Sequence, residues 1–106
     1  MVIVIIKMSA LPEKRLELKQ TLQALTESTR RETGCLSHSV FQDIENDNRF
    51  SLVQTWENQA VLDNHLRSDE FTVLMGARSR LSQSAEIMMN EVSCSLGWEA
   101  VEAIRS

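Results

Sequence analysis

The chain opens on an unbroken β-branched run, Val2-Ile3-Val4-Ile5-Ile6, carried through Lys7 to Met8. Such a run predicts a strand, and its lack of alternation predicts that both faces are covered. From Glu13 to Thr33 the rhythm changes. Leu11, Leu18, Leu22, Leu25 and Thr29 recur at intervals of seven, four, three and four, the stripe of one long helix. Pro12 suits its first turn, and Gly34 stands where a left-handed stop is wanted.

Alternation returns from Cys35 to Asp43. Leu36, His38, Val40 and Gln42 fall on one face, and Cys35, Ser37, Ser39 and Phe41 on the other. The cluster Glu45-Asn46-Asp47-Asn48 predicts a turn, because these side chains bond their own backbone. A third strand, Arg49 to Trp56, folds back as a hairpin with Phe50, Leu52, Gln54 and Trp56 on one face. Asn58 and Ser68 are placed to cap helices over 59–66 and 69 to about 82. Ala85 to Leu96 predicts a fourth strand ended by Gly97, and Trp98 to Arg105 a last helix with Trp98, Val101 and Ile104 on one stripe.

The order β-α-β-β-α-β predicts an α+β fold: one four-stranded antiparallel sheet with helices on a single face. The uncovered face would carry the second side of strand one together with Val53. An exposed apolar face of that size is expected to be buried by a second copy, sheet against sheet, in a homodimer.

Length and composition narrow the class. With 106 residues and no linker-like tract, residues 1–106 form one expected domain. A net charge of −4 without a basic cluster argues against nucleic acid as a partner. Cys35 and Cys94 are too few for a disulfide scaffold or a four-cysteine zinc site. The initial apolar run is too short for a signal core or a membrane span. The expected setting is cytoplasmic, with reduced thiols and no membrane. No flavin, nicotinamide or metal motif stands in the chain, so no cofactor and no metal are expected.

The segment Glu32 to Phe71 carries a more specific signal. Its marks are Gly34-Cys35-Leu36, Asn48-Arg49-Phe50, Trp56-Glu57, and His65-Leu66 followed by Ser68 and Phe71. In these it resembles the antibiotic biosynthesis monooxygenase family. The resemblance implies a ferredoxin-like subunit that pairs through its sheet into a dimeric α/β barrel. It also implies one of several chemistries: cofactor-independent oxygenation of quinols or polyketide phenols, haem degradation, or isomerisation of small signalling molecules. The haem-degrading pattern puts a histidine ligand where Met75 stands, a tryptophan at His65 and an asparagine near Lys7, and is not matched. The polyketide pattern puts an asparagine at Leu52 and tyrosines at Val40 and Leu62. Of that set only Trp56 remains, and the chain has no Tyr.

Several residues remain as candidates. Trp56 is a platform for a flat ligand or a core filler. His38, on an apolar strand face, is an expected catalytic base or a structural imidazole, and His65 an expected second polar group at the pocket mouth. Trp56, Val40, Leu52, Leu62, Phe71 and Met75 are the expected substrate-binding residues. Cys35 reads as an inert buried thiol, and Arg49 as a turn-stabilising ion-pair partner. The expected function is cofactor-independent, monooxygenase-like action on a small aromatic or quinol held in an apolar pocket between sheet and helices. Two alternatives stand beside it: a non-oxidative small-molecule binder or isomerase on the same scaffold, and a dimeric assembly module with no pocket.

Overall fold

Strand β1, Val2–Ala10, lies inside the sheet, and the computed structural model, which describes residues 1–106, shows how its unbroken apolar run is used. Val2, Val4, Ile6, Met8 and Ala10 are buried under the helices, while Ile3 and Ile5 are half-buried and Lys7 is exposed. Within one chain, then, only one of its two faces is closed. The strand order is β2-β3-β1-β4, every neighbouring pair antiparallel. This is the ferredoxin-like α+β arrangement, with an open sheet.

The first helix is shorter than its periodicity suggests. Pro12–Lys14 makes one 3-10 turn, and α1 runs Arg15–Arg30. Leu18, Leu22 and Thr29 are buried, with Leu25 packed beside them. Each fully buried leucine contributes about 1.5–3 kcal/mol of apolar transfer. A backbone bond from Glu32 N to Thr29 O tightens the chain out of the helix before Gly34 is reached, and one from Cys35 N to Glu32 O closes the turn across it. Gly34 does take a left-handed conformation (φ +85°), but it turns the chain into β2 rather than stopping the helix.

Strands β2 (Cys35–Gln42) and β3 (Arg49–Trp56) form the expected hairpin. In its turn Asp43 Oδ1 accepts from Glu45 N, and Asn46 Oδ1 from Asn48 N. Arg49 makes no ion pair there; Asp47 instead lies 3.7 Å from Arg15 of α1, an exposed contact worth little. A bulge at the start of β2 sets both Cys35 opposite Trp56 and Ser37 opposite Thr55. Cys35 is thereby partly packed against the core, while Leu36 is displaced into solvent and does not share the face of His38.

Helices α2 (Gln59–Leu66) and α3 (Asp69–Leu81) begin at the anticipated caps: Asn58 Oδ1 accepts from Val61 N, and Ser68 Oγ from Phe71 N. Strand β4 covers Ser82–Glu91, earlier than its apolar residues suggest. It is an edge strand and largely exposed, so its polar start, Ser82-Gln83-Ser84, is set by pairing with β1 and not by burial. Residues 92–97 are irregular, and α4 (Trp98–Arg105) ends the fold.

Candidate functional site

The end of β3 and the start of α2 build the centre of the site. Trp56, the last residue of β3, is fully buried, and the Asn58 cap starts α2 only three residues later. The second turn of α2 then carries His65 over the indole. The two rings stack with centroids 4.6 Å apart and planes 29° from parallel. Ser68 fixes the helix junction beneath, donating from Oγ to His65 O at 2.6 Å while accepting from Phe71 N. Phe71 meets His65 edge-on, with centroids 5.5 Å apart.

His65 Nδ1 lies 2.7 Å from Glu32 Oε2. An ionised carboxylate only accepts, so Nδ1 carries the proton. In the neutral ring Nε2 is then the acceptor, and it is buried with no partner in the chain. Glu32 comes from the turn that ends α1, 33 residues before His65. No sequence spacing signals this pair, and the overlong helix prediction had placed Glu32 on a helix.

A second imidazole lies on the next strands. His38 is buried on the helix side of β2, opposite Gln54. Gln54 is itself buried, and its Oε1 accepts from Trp56 Nε1 at 3.0 Å. Neither ring nitrogen of His38 has a partner. Burial, and then the charges of Arg30 and His65, push its pKa down to about 4, so it is neutral at pH 7. Arg30 Nε donates to the His38 carbonyl oxygen at 3.0 Å, holding a cation beside this strand. Three buried ring nitrogens therefore stand without partners in one region, where buried polar atoms are ordinarily bonded. The Cys35 thiol close by is pushed up by burial and by the negative charge of Glu32, which makes it a poor nucleophile.

The expected pocket residues separate. Trp56, Leu52 and Leu62 are packed core, and Val40 is partly packed against it. Trp56 is a platform under His65 rather than the wall of an open pocket. The apolar cavity of the helical side lies elsewhere, between α3 and β4, with a volume of about 90 Å³. Phe71 and Met75 are the two expected residues that line it, with Ile6, Met8, Leu74 and Ile87 around them. Arg78 and Glu86, which the sequence reading did not single out, supply its charged walls. His38 borders a separate open cleft with Arg30 and Ser37. Phe71 joins the two halves: one side contacts His65, and its ring also helps line the cavity. No three His, Cys, Asp or Glu side chains converge as a metal site would require, and no helix is long and apolar enough to cross a membrane.

Comparison with known proteins bears on this arrangement. The family model described as antibiotic biosynthesis monooxygenase matches residues 1–76. The uncharacterized protein sll1783 of Synechocystis sp. is 31% identical over 83 residues, 77% of this chain and 56% of its own length, so the chain spans little more than half of that relative. A Bacillus subtilis protein named “Putative monooxygenase YcnE” is 25% identical over 77% of this chain and 87% of its own. Among solved structures, a “putative antibiotic biosynthesis monooxygenase” from Deinococcus radiodurans superposes with a TM-score of 0.86 at 28% identity, covering 92% of this chain and 97% of that one.

Proposed function

The chain belongs to the antibiotic biosynthesis monooxygenase family, and from that premise we propose that it is a cofactor-independent, monooxygenase-like protein acting on a small aromatic or quinol substrate. The observation that carries this reading is the buried His65 paired with the half-buried Glu32, its unpartnered Nε2 belonging to a ring in contact with Phe71, a wall of the apolar cavity. A carboxylate on Nδ1 fixes the tautomer and leaves Nε2 as the acceptor. His65 is then the base that takes a phenolic proton, and Glu32 stabilises the imidazolium that forms. His38, neutral at pH 7, is a second acceptor on the strand side. A deprotonated quinol reacts with O₂ through its own low potential. The protein's part is to hold the ring flat, exclude water and accept the proton.

The test is O₂ uptake by metal-free protein across a quinol panel, aerobically and anaerobically, with His65→Gln, Glu32→Gln and His38→Ala alongside. Loss of a proton-transfer group is expected to lower turnover by about 10²–10⁴-fold for His65→Gln. A rate unchanged in that variant removes the assigned base, and no O₂ uptake with any quinol removes the oxygenase reading.

One observation favours a second reading, a non-oxidative binder or isomerase. The cavity is small at about 90 Å³, below the ~150 Å³ of an engineered apolar cavity that takes up benzene. A ligand that raises the melting temperature under nitrogen and causes no O₂ uptake in air would establish it. For either chemistry we propose a homodimer formed through the open sheet face. Ile5 there stands between Val53 and Met88, and Phe41 and Met88 are exposed in the single chain.

A further inference from the structure

Helix α4 is an amphipathic element that the chain does not use on itself. Trp98, Val101 and Ile104 recur at i, i+3 and i+6, and all three are exposed, Trp98 by 78% and Ile104 by 83%. The helix buries no residue and makes no extensive contact with any other element. Its projection lengthens the molecule: the radius of gyration is 15.4 Å, against roughly 13 Å for a compact chain of this length. A second apolar surface is equally unpartnered. Met75 of α3 and Ile87 of β4, which line the cavity, are 44% and 46% exposed, and Met89 continues the row along β4.

We propose that α4 of one copy seats in the α3–β4 groove of a second copy, closing the cavity from outside. Dimensions agree. An eight-residue helix is about 12 Å long, and Phe71 to Arg78 along α3 spans roughly 10 Å. Charges agree as well. The groove has Arg78 on the α3 wall and Glu86 on the β4 wall, neither in an ion pair. Glu102 and Arg105 border the α4 stripe and are likewise unpaired. The chain's own groove is not the occupant. Val92 N donates to Met1 O at 2.8 Å, so the chain leaves β4 at the end away from Ala85–Ile87, and α4 makes no extensive contact with α3 or β4. A reciprocal exchange about a two-fold axis buries both stripes and closes on itself. The seated Trp98 would complete a cavity that each subunit leaves open. The exchange does not depend on which chemistry the cavity supports.

The test places single cysteines on different full-length chains, with Cys35→Ala and Cys94→Ser in both. Met75→Cys in one chain and Val101→Cys in the other are mixed and mildly oxidised. A mixed disulfide is expected, falling roughly tenfold or more when the second chain also carries Trp98→Glu and Ile104→Glu, which remove two apolar anchors. Absence of the mixed disulfide, or its insensitivity to those two substitutions, overturns the exchange. Sedimentation of the uncrosslinked protein separates this failure from that of the sheet-face dimer: a dimer without the mixed disulfide sinks the α4 exchange alone, and a monomer sinks both.

Discussion

Replacing His38 by leucine should leave the protein as stable at pH 7.5 as it was, or more so, and should remove part of its acid sensitivity. The side chain is buried and neither ring nitrogen has a partner. An unsatisfied buried polar group costs about 1–3 kcal/mol, and an apolar group of similar size relieves that cost. The pH effect has a definite sign. In the unfolded chain the imidazole takes a proton near pH 6.5, whereas in the folded chain it resists until about pH 4. Between those values the unfolded state binds more protons, so stability falls as pH drops. Each pH unit of separation is worth 1.36 kcal/mol, which sets a ceiling of about 3 kcal/mol. The open cleft at Arg30 and Ser37 admits water next to this strand, and screening reduces the expected loss to ~1–2 kcal/mol. Urea unfolding of both proteins at pH 7.5 and 4.5, followed by tryptophan fluorescence, measures it. The difference between them should move toward His38→Leu by ~1–2 kcal/mol at the lower pH. Parallel pH dependence, or a variant more than ~1 kcal/mol less stable at pH 7.5, would show that His38 is hydrogen-bonded in solution.

Other substitutions test the framework around the site. Glu32→Gln removes the charged acceptor 2.7 Å from His65 Nδ1 and should cost about 2 kcal/mol by chemical denaturation. Gly34→Ala forces a side chain onto a φ of +85° with its Cβ about 2.5 Å from Val61 Cγ2. It should cost more than the ~1 kcal/mol of the backbone alone, and because Val61 Cβ itself lies 2.6 Å from that position, adding Val61→Ala should recover only part of the steric cost. Leu18→Ala empties a fully buried site on α1 and should cost about 3–4 kcal/mol, seen calorimetrically as a fall of roughly 10–25 °C in Tm. Asn58→Ala deletes the α2 cap at about 1 kcal/mol in thermal unfolding.

Much of the fold is legible because its signals are local. The caps at Asn58 and Ser68 are read from residue type alone, and the β3 boundaries from alternation between turn signals. The misreadings share a cause. The overlong α1 and the shifted β4 are set by backbone bonds that residue type does not announce: the Glu32 turn by its bonds to Thr29 and Cys35, and Ser82–Ser84 by the ladder to β1. The bulge at Cys35–Ser37 is of the same kind, since period-two counting cannot see an extra residue. In the site, His38 and His65 are visible as the chain's two imidazoles, but Glu32 is not. Its role exists only because α1 ends early enough to turn it back toward α2.

That early ending also explains how one small domain supports both a packed core and reactive groups. Trp56 is spent on packing: its indole is fully buried and its N–H is taken by Gln54. A rigid base plate of this kind gives His65 a fixed orientation at no cost to the core, because stacking leaves the imidazole edges available. Glu32 takes one edge, and Nε2 remains. Phe71 is in contact with the imidazole and also lines the cavity. The α3–β4 wall shapes the cavity, while the carboxylate that holds Nδ1 comes from the turn after α1. Substitutions in the two places should therefore alter different kinetic parameters, the first changing KM and the second kcat.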